Sequence, residues 1–425
     1  MDYGLSTMDY RLSTMDSSMI QKILTVAISL YLFASGANAQ EIDLLIKNGH
    51  VIDPKNNINA RMDVGISDGK IFQVAAGIAE SRAKKVIDAR GLFVSPGFID
   101  LHTHVFVGSN SGFANGFSSI SPDNFACRSG VTTVVDAGTS GWRNFPLFKQ
   151  QVIDRSRTRV LAFLSIGGTG LSGKSAQEDL DDMDPDSTYY MLKKFPDTIV
   201  GIKIGHYDGS DWTPFDRAIA AAEKAGVPLF VECHLPQYSL EDQLERMRPG
   251  DIITHSFEKV SERMSVVDDH GNVRPFVKAA QQRGVFFDVG HGGAGFWFSE
   301  AIPALKQGLA PNSFGTDLHR NSVNAGMKDM LNVMSKYMAM GMKMEDVIVR
   351  ATWNPARSVK REDLGHLSTG AVADVAIWSV RKGRFGFVDA GGNRIDGDRK
   401  LEAEMTLREG KIVWDLNGLA AKKFE

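Results

Sequence analysis

Two imidazoles stand one residue apart in the stretch SPGFIDLHTH, Ser95 to His104. A short apolar run precedes them, so they lie at the end of a strand. Side chains on a strand alternate between faces, which turns His102 and His104 the same way and Thr103 the other. Two neighbouring imidazoles can chelate one metal ion. A histidine on a strand end is also commonly a hydrogen-bonded structural residue, so the pair alone decides nothing.

Further groups of the same chemistry follow along the chain. Lys203 sits within TIVGIKIGHYDG, which also carries His206. FVECHLP provides His234, DIITHSFE provides His255, FFDVGHGGAGF provides His291, and FGTDLH provides Asp317. Each closes or follows an apolar run. Asp317 alone reads equally well as a helix cap. Lys203 alone reads as a lysine whose stem lies along an apolar surface. Its neighbours Ile199, Val200, Ile202 and Ile204 look buried on both sides, so its ammonium needs a partner or a modification. The joint occurrence at successive strand ends is what favours a metal site.

These positions require elements that bring distant strand ends to one face. Apolar runs at Phe98–Leu101, Val131–Asp136, Arg159–Ser165, Ile199–Ile204, Leu229–Glu232, Ile252–Thr254, Val285–Val289 and Ser313–Gly315 alternate with amphipathic segments such as PFDRAIAAAEKAGV and VRPFVKAAQQRGV. That alternation predicts a parallel sheet. Gly97 to Pro355 is close to the ~250 residues of a (β/α)8 barrel, whose catalytic groups gather at the C-terminal strand ends. An open doubly wound sheet is the alternative, but neither a G-x-G-x-x-G between strand and helix nor a Walker A loop occurs. The flanks read as small antiparallel β structure. DLLIKNGHVID suggests a hairpin at Lys47-Asn48-Gly49, DVGISDGKIFQVA a second at Asp68-Gly69, and AEMTLREGKIVW a third at Glu409-Gly410. The expected architecture is therefore α/β: a TIM-type barrel over 95–357, plus a small β-sandwich domain built from both chain ends, 40–94 and 358–425.

Residues 1–39 read as an extension and a secretory signal peptide. Lys22 precedes an apolar run from Ile23 to Ala34, and Ala37-Asn38-Ala39 offers a cleavage site. The run is short of the ~20 residues needed to span a bilayer. An exported protein, periplasmic or secreted, with no stable membrane anchor is expected. The upstream segment MDYGLSTMDYRLSTMDSS is a near-perfect tandem duplication without apolar periodicity, and Met19 is the expected translation start. A net charge of −3 over 425 residues gives no electrostatic case for nucleic acid. Two cysteines, Cys127 and Cys233, exclude a disulfide framework and are expected to be free thiols.

The ordered set GFIDLHTH, a lysine on strand four, histidines ending strands five and six and an aspartate ending strand eight resembles the amidohydrolase superfamily, binuclear subtype. GVTTVVDAGTSG, GTDLH and TWNPA narrow the likeness to its deacetylase-like metallohydrolases, relatives of dihydroorotases and D-aminoacylases. The resemblance covers Glu41 to Trp414. It implies two divalent metals, Zn2+ by ligand type, bound by His102, His104 and Asp317 on one side and by His234 and His255 on the other. It implies a CO2-derived carbamate on Lys203 bridging them. Asp317 would exchange protons with a metal-bridging hydroxide. His291, Gly292, Gly293, His206 and Arg320 would line the substrate pocket, with Arg143 a second candidate for binding an acid group. The implied reaction is cleavage of an amide or ester in a small acylated acid. The alternative is a cyclic amidohydrolase opening a ring amide. A mononuclear deaminase would carry a glutamate near the strand-five histidine, and Glu232, two residues before His234, is not clearly placed for that. A degenerate assembly protein would have lost ligands, and none is missing. The partner is a small molecule; association into homo-oligomers is compatible with the resemblance.

Overall fold

The computed structural model describes residues 41–106, 119–171, 178–232, 234–259 and 264–424. The expected signal peptide, Cys233 and parts of the expected pocket loops 106–124 and 171–186 lie outside the described residues.

Seven strands form one parallel sheet. In spatial and chain order they are Phe98–Thr103, Val131–Gly141, Arg159–Ser165, Ile199–Gly205, Leu229–Glu232, Ile252–Ile253 and Phe286–Phe287. The last two are shorter than their apolar runs. The expected eighth strand is present as isolated parallel bridges, Asp288 with Ser313 and Thr103 with Leu318. These bridges link the last strand of the sheet to the first through residues 313–318.

The helices between the strands begin and end where their sequences dictate. Thr213–Ala225 starts with Pro214 in its first turn and stops at Gly226, φ 70°. Pro275–Arg283 starts with proline and stops at Gly284, φ 98°. Proline lacks an N–H that the first turn cannot use, and glycine takes the left-handed cap without strain. Ile99, Leu101, Leu161, Phe163, Val200 and Phe230 form a buried apolar cluster with Ala356, Val359 and Leu364. Within it Phe163 and Phe230 stack at 4.5 Å, and Phe230 meets the His102 ring edge-on at 5.1 Å. The cluster is thus a firm floor beneath the histidines.

Both chain ends share a second sheet of eight strands. Ile42–Asp53, Ile58–Ser67, Lys70–Ala75, Ala83–Asp88 and Phe93–Pro96 come from the N-terminal side, and Val375–Val388, Arg394–Arg408 and Lys411–Asp415 from the C-terminal side. It is mixed and not purely antiparallel, because Ala83–Asp88 and Phe93–Pro96 run parallel to Ile42–Asp53. The hairpins at Asp68-Gly69 and Glu409-Gly410 form with both turn residues at positive φ. The hairpin expected at Lys47-Asn48-Gly49 does not. Strand Ile42–Asp53 runs through it, with a register shift between Ile46 and Gly49. Asn48, φ 64°, opens a bulge, which Asp63 pins by accepting from Asn48 N and Lys47 Nζ, both at 2.8 Å. Asn in a left-handed conformation serves a bulge as well as a turn. Among the described residues no helix is long and apolar enough to cross a membrane.

Candidate metal centre

The six expected ligands converge. His102 and His104 end the first strand, and both present Nε2 to Asp317 Oδ1, at 3.4 and 3.1 Å. His255 Nε2 lies 4.0 Å from Asp317 Oδ2. Lys203, fully buried, reaches the same space from the fourth strand, where its Nζ is in contact with Glu232 Oε2. His234, the most exposed of the six, stands with Nε2 3.1 Å from Glu232 Oε1 and Nδ1 2.7 Å from Glu258 Oε2.

The donor set suits a metal ion. Ligands ~2.1 Å from a tetrahedral ion lie roughly 3.4 Å apart, close to the spacings above. Imidazole and carboxylate are ordinary ligands for Zn2+ and its neighbours. His102 Nε2 is buried without a hydrogen-bond partner. Its tautomer follows from the layer behind it. Thr254 Oγ1 donates to Asp288 Oδ2 at 2.9 Å, so it accepts from His102 Nδ1, also at 2.9 Å. The proton on Nδ1 leaves a lone pair on Nε2, facing the other donors. Asp288 is held in turn by Ser313 Oγ and Gly315 N on Oδ1. His104 has a matching support: its Nδ1 lies 3.1 Å from Thr139 Oγ1, and Asp136 accepts from Thr139 N at 2.8 Å and from Val105 N at 2.9 Å. Asp100 ties the two ends of the site together, accepting from Thr316 N and Thr316 Oγ1.

Charge is concentrated here. Burial alone would raise the Asp317 and Glu232 carboxyls. For Asp317 the imidazoles of His102 and His319 outweigh burial, and for Glu232 the Lys203 ammonium and the imidazoles of His206 and His255 do so, holding both well below the usual carboxylate range. Burial, with the nearby Lys203, pushes the His102 imidazole down against the pull of Asp317. His234 goes the other way, raised to about 9, because its bonds to Glu232 and Glu258 overcome its burial.

The backbone is strained at three of these positions. His206, His255 and Asp317 have φ of 62°, 50° and 52°, a left-handed conformation costly for a residue with a Cβ. The GHGGAG loop closes over them. A Cβ on Gly292 would lie 2.1 Å from Asp317 Oδ2, and one on Gly295 1.9 Å from His255 Nδ1. Glycine is required there for close approach.

The expected pocket residues separate. His206 is half-buried at the open edge, its Nε2 3.1 Å from Glu232 Oε1 and its ring stacked on His234 at 5.7 Å. Gly293 and Arg320 are exposed. Gly292, expected to line the substrate pocket, donates its N–H to Thr316 O and makes room for Asp317. His291 is fully buried behind the loop, with Nε2 2.5 Å from Lys336 Nζ and Nδ1 on Gly292 O. Arg143 is paired with Asp182 at 2.5 Å. Glu232, weighed from the sequence only as a deaminase acid/base and set aside as not clearly placed, stands among the ligands. His319, with Nε2 3.6 Å from Asp317 Oδ2, was missed; it stands two residues after Asp317.

A parallel sheet whose C-terminal strand ends gather imidazoles, carboxylates and a buried lysine defines a mixed α/β fold of the TIM-barrel type fitted for metal-dependent hydrolysis. The pattern of the amidohydrolase family matches residues 299–413. The chain is 34% identical over 320 residues to a deacetylase of Agrobacterium fabrum, covering 74% of this chain and 77% of that one. Two solved structures are similar. An adenine deaminase has a TM-score of 0.81 at 28% identity, over 88% of this chain and all of that one. A dihydroorotase has a TM-score of 0.78 at 30% identity, over 88% and 99%. The chain belongs to the amidohydrolase family and is a hydrolase acting on carbon–nitrogen bonds.

Proposed function

We propose that this enzyme removes an acyl group, acetyl by likeness to the deacetylase relative, from a small N- or O-acylated acid. The observation that carries the metal dependence is the orphaned His102 Nε2 set among His104, His255 and Asp317. His102, His104 and Asp317 would hold one divalent ion, and His234 and His255 a second. The bridge would come from the Lys203 side, as a carbamate or through the carboxylate partner of that lysine. Such ions, Zn2+ by ligand type, polarise a carbonyl and lower the pKa of water from about 15.7 towards roughly 7.

The side chains then have distinct tasks. Asp317 accepts the proton of the attacking water and returns it to the leaving amine or alkoxide. The left-handed turn at Asp317 and the bare Cα of Gly292 aim its carboxylate. The Thr254–Asp288 support keeps His102 in one tautomer, and the Thr139 hydroxyl orients the His104 ring. His206 and Arg320, at the open edge, are the groups proposed to receive the carboxylate of the substrate.

The same reading closes the parallel sheet into an eight-stranded barrel through residues 313–318, over 95–357. It treats the mixed sheet as part of a sandwich domain from 40–94 and 358–425, and removes Met19–Ala39 on export to a periplasmic or extracellular space. Similarity to the dihydroorotase structure supports ring-amide opening as the second reading.

The test is turnover of N-acetyl amino acids, acetylated hydroxy acids and cyclic imides before and after chelation. Acyl release that disappears on chelation and returns with Zn2+ is expected, and Asp317→Asn should lower kcat by roughly 10²–10⁴-fold. Full turnover in metal-free enzyme would refute the reading. Preference for cyclic imides would transfer it to ring opening.

A further inference from the structure

Glu232 occupies the middle of the site. It ends the strand Leu229–Glu232 and is 5% exposed. Its Oε1 lies 3.0 Å from His255 Nε2 and 3.1 Å from both His234 Nε2 and His206 Nε2. Its Oε2 turns the other way, to Lys203 Nζ, and stands 3.5 Å from His102 Nε2. Among the described residues two groups of converging donor atoms occur here: His102, His255 and Asp317 in one, His206, Glu232 and His234 in the other. Glu232 belongs to the second and directs its other oxygen at the first.

Lys203 has little freedom to serve instead. Its stem is wedged against Gly138, where a Cβ would lie 2.4 Å from Lys203 Cγ, and against Gly205, where one would lie 3.2 Å from Lys203 Cε. Its Nζ stands 4.9 Å from the centre of the Phe230 ring. A carbamate would add three heavy atoms and a negative charge at the point already filled by Glu232 Oε2. It would turn an attractive ammonium–carboxylate contact into an anion–anion contact.

We propose that the Glu232 carboxylate spans the two metal positions, and that Lys203 stays uncarboxylated and holds Glu232 in place. This rests on the two-metal reading given above. It predicts that metal loading needs no CO2, and that Glu232 is more important for the second ion than Lys203 is.

The test uses the full-length enzyme, stripped by a chelator and reloaded with Zn2+ alone, in CO2-free buffer or with 13C-bicarbonate. The expected result is about two Zn2+ per chain in both and no 13C carbamate resonance. Lys203→Met should keep about two ions. Glu232→Gln should hold about one or fewer while retaining its far-ultraviolet circular dichroism. A carbamate resonance near one per chain, or loading that requires bicarbonate, overturns the assignment; so does Lys203→Met losing metal while Glu232→Gln keeps it. The wild-type measurements decide even where a variant does not fold. Fewer than about two ions in the wild type overturns the two-metal reading as well, whereas two ions with a carbamate overturns this inference alone.

Discussion

Lys336 Nζ stands 2.5 Å from His291 Nε2, and neither side chain has any exposed surface. Lys336 also donates to Gly326 O at 2.7 Å. Helix Met330–Ala339 is thereby tied to the glycine loop that lies over Asp317. Lys336→Met should fold, loosen the loop and lower kcat by roughly 10–100-fold, on the scale of a ~1 Å misplacement. Steady-state kinetics on the best acylated substrate checks this. Burial pushes the Lys336 ammonium down to about 7 from its ordinary 10.5. The unfolded chain therefore binds more protons between those values, and the stability linked to this group rises with pH across that window. The stability gap between wild type and Lys336→Met should widen in favour of wild type between pH 7 and 10. Parallel denaturation curves at the two ends would count against it.

The support behind His102 gives a second expectation. Thr254→Val keeps the shape of the side chain and removes the hydroxyl between His102 Nδ1 and Asp288. Metal affinity should fall roughly 10–100-fold, while Thr254→Ser stays near wild type. Competition with a chromophoric chelator measures this. Loss in Thr254→Ser with near-wild-type affinity in Thr254→Val would show that the methyl group, and not the hydrogen bond, matters.

Much of the site was legible from one chain. His102, His104, His234, His255 and Asp317 each end an apolar run, and a parallel sheet brings such ends to one face. Glu232 was harder to see. Strand alternation puts it beside His234, but its importance comes from distances to His206 and His255 on other strands, which spacing along the chain does not encode. The Thr254–Asp288 and Thr139–Asp136 supports were hidden for the same reason. The hairpin expected at Asn48 failed because an asparagine with positive φ satisfies a bulge and a turn alike, and only the Asp63 contacts select between them.

The glycine loop yields a third expectation. Gly292→Ala places a methyl 2.1 Å from Asp317 Oδ2 at φ 48°. Relief requires the carboxylate or the loop to move, so kcat should fall by roughly 100-fold while the fold persists at a cost of about 1–2 kcal/mol. Gly293→Ala, where no atom lies within 4 Å of the added Cβ, is the control and should stay within a few-fold of wild type. Comparable losses in both would remove the steric explanation.

Glu300 predicts an opposite pH effect. It is buried on helix Phe298–Lys306, with Oε2 lacking a hydrogen-bond partner, and burial pushes its carboxyl up to about 7 from 4.5. The folded protein keeps that proton while the unfolded chain releases it, so the linked stability is lost as pH rises from 4.5 to 7. Glu300→Gln should be near wild type at pH 4.5 and more stable by roughly 1–3 kcal/mol above pH 7. Thermal unfolding at both values decides it; a pH-independent difference would point to packing.

The positive φ angles at His206, His255 and Asp317 have a wider consequence. Each is a conformation that glycine adopts freely and that an imidazole or a carboxylate resists. Replacing His206 by glycine should therefore make the scaffold harder to melt while blunting its chemistry. Random variation screened for heat tolerance alone would erode this corner of the enzyme first, so a thermally improved variant must be checked for turnover before its robustness is counted as a gain.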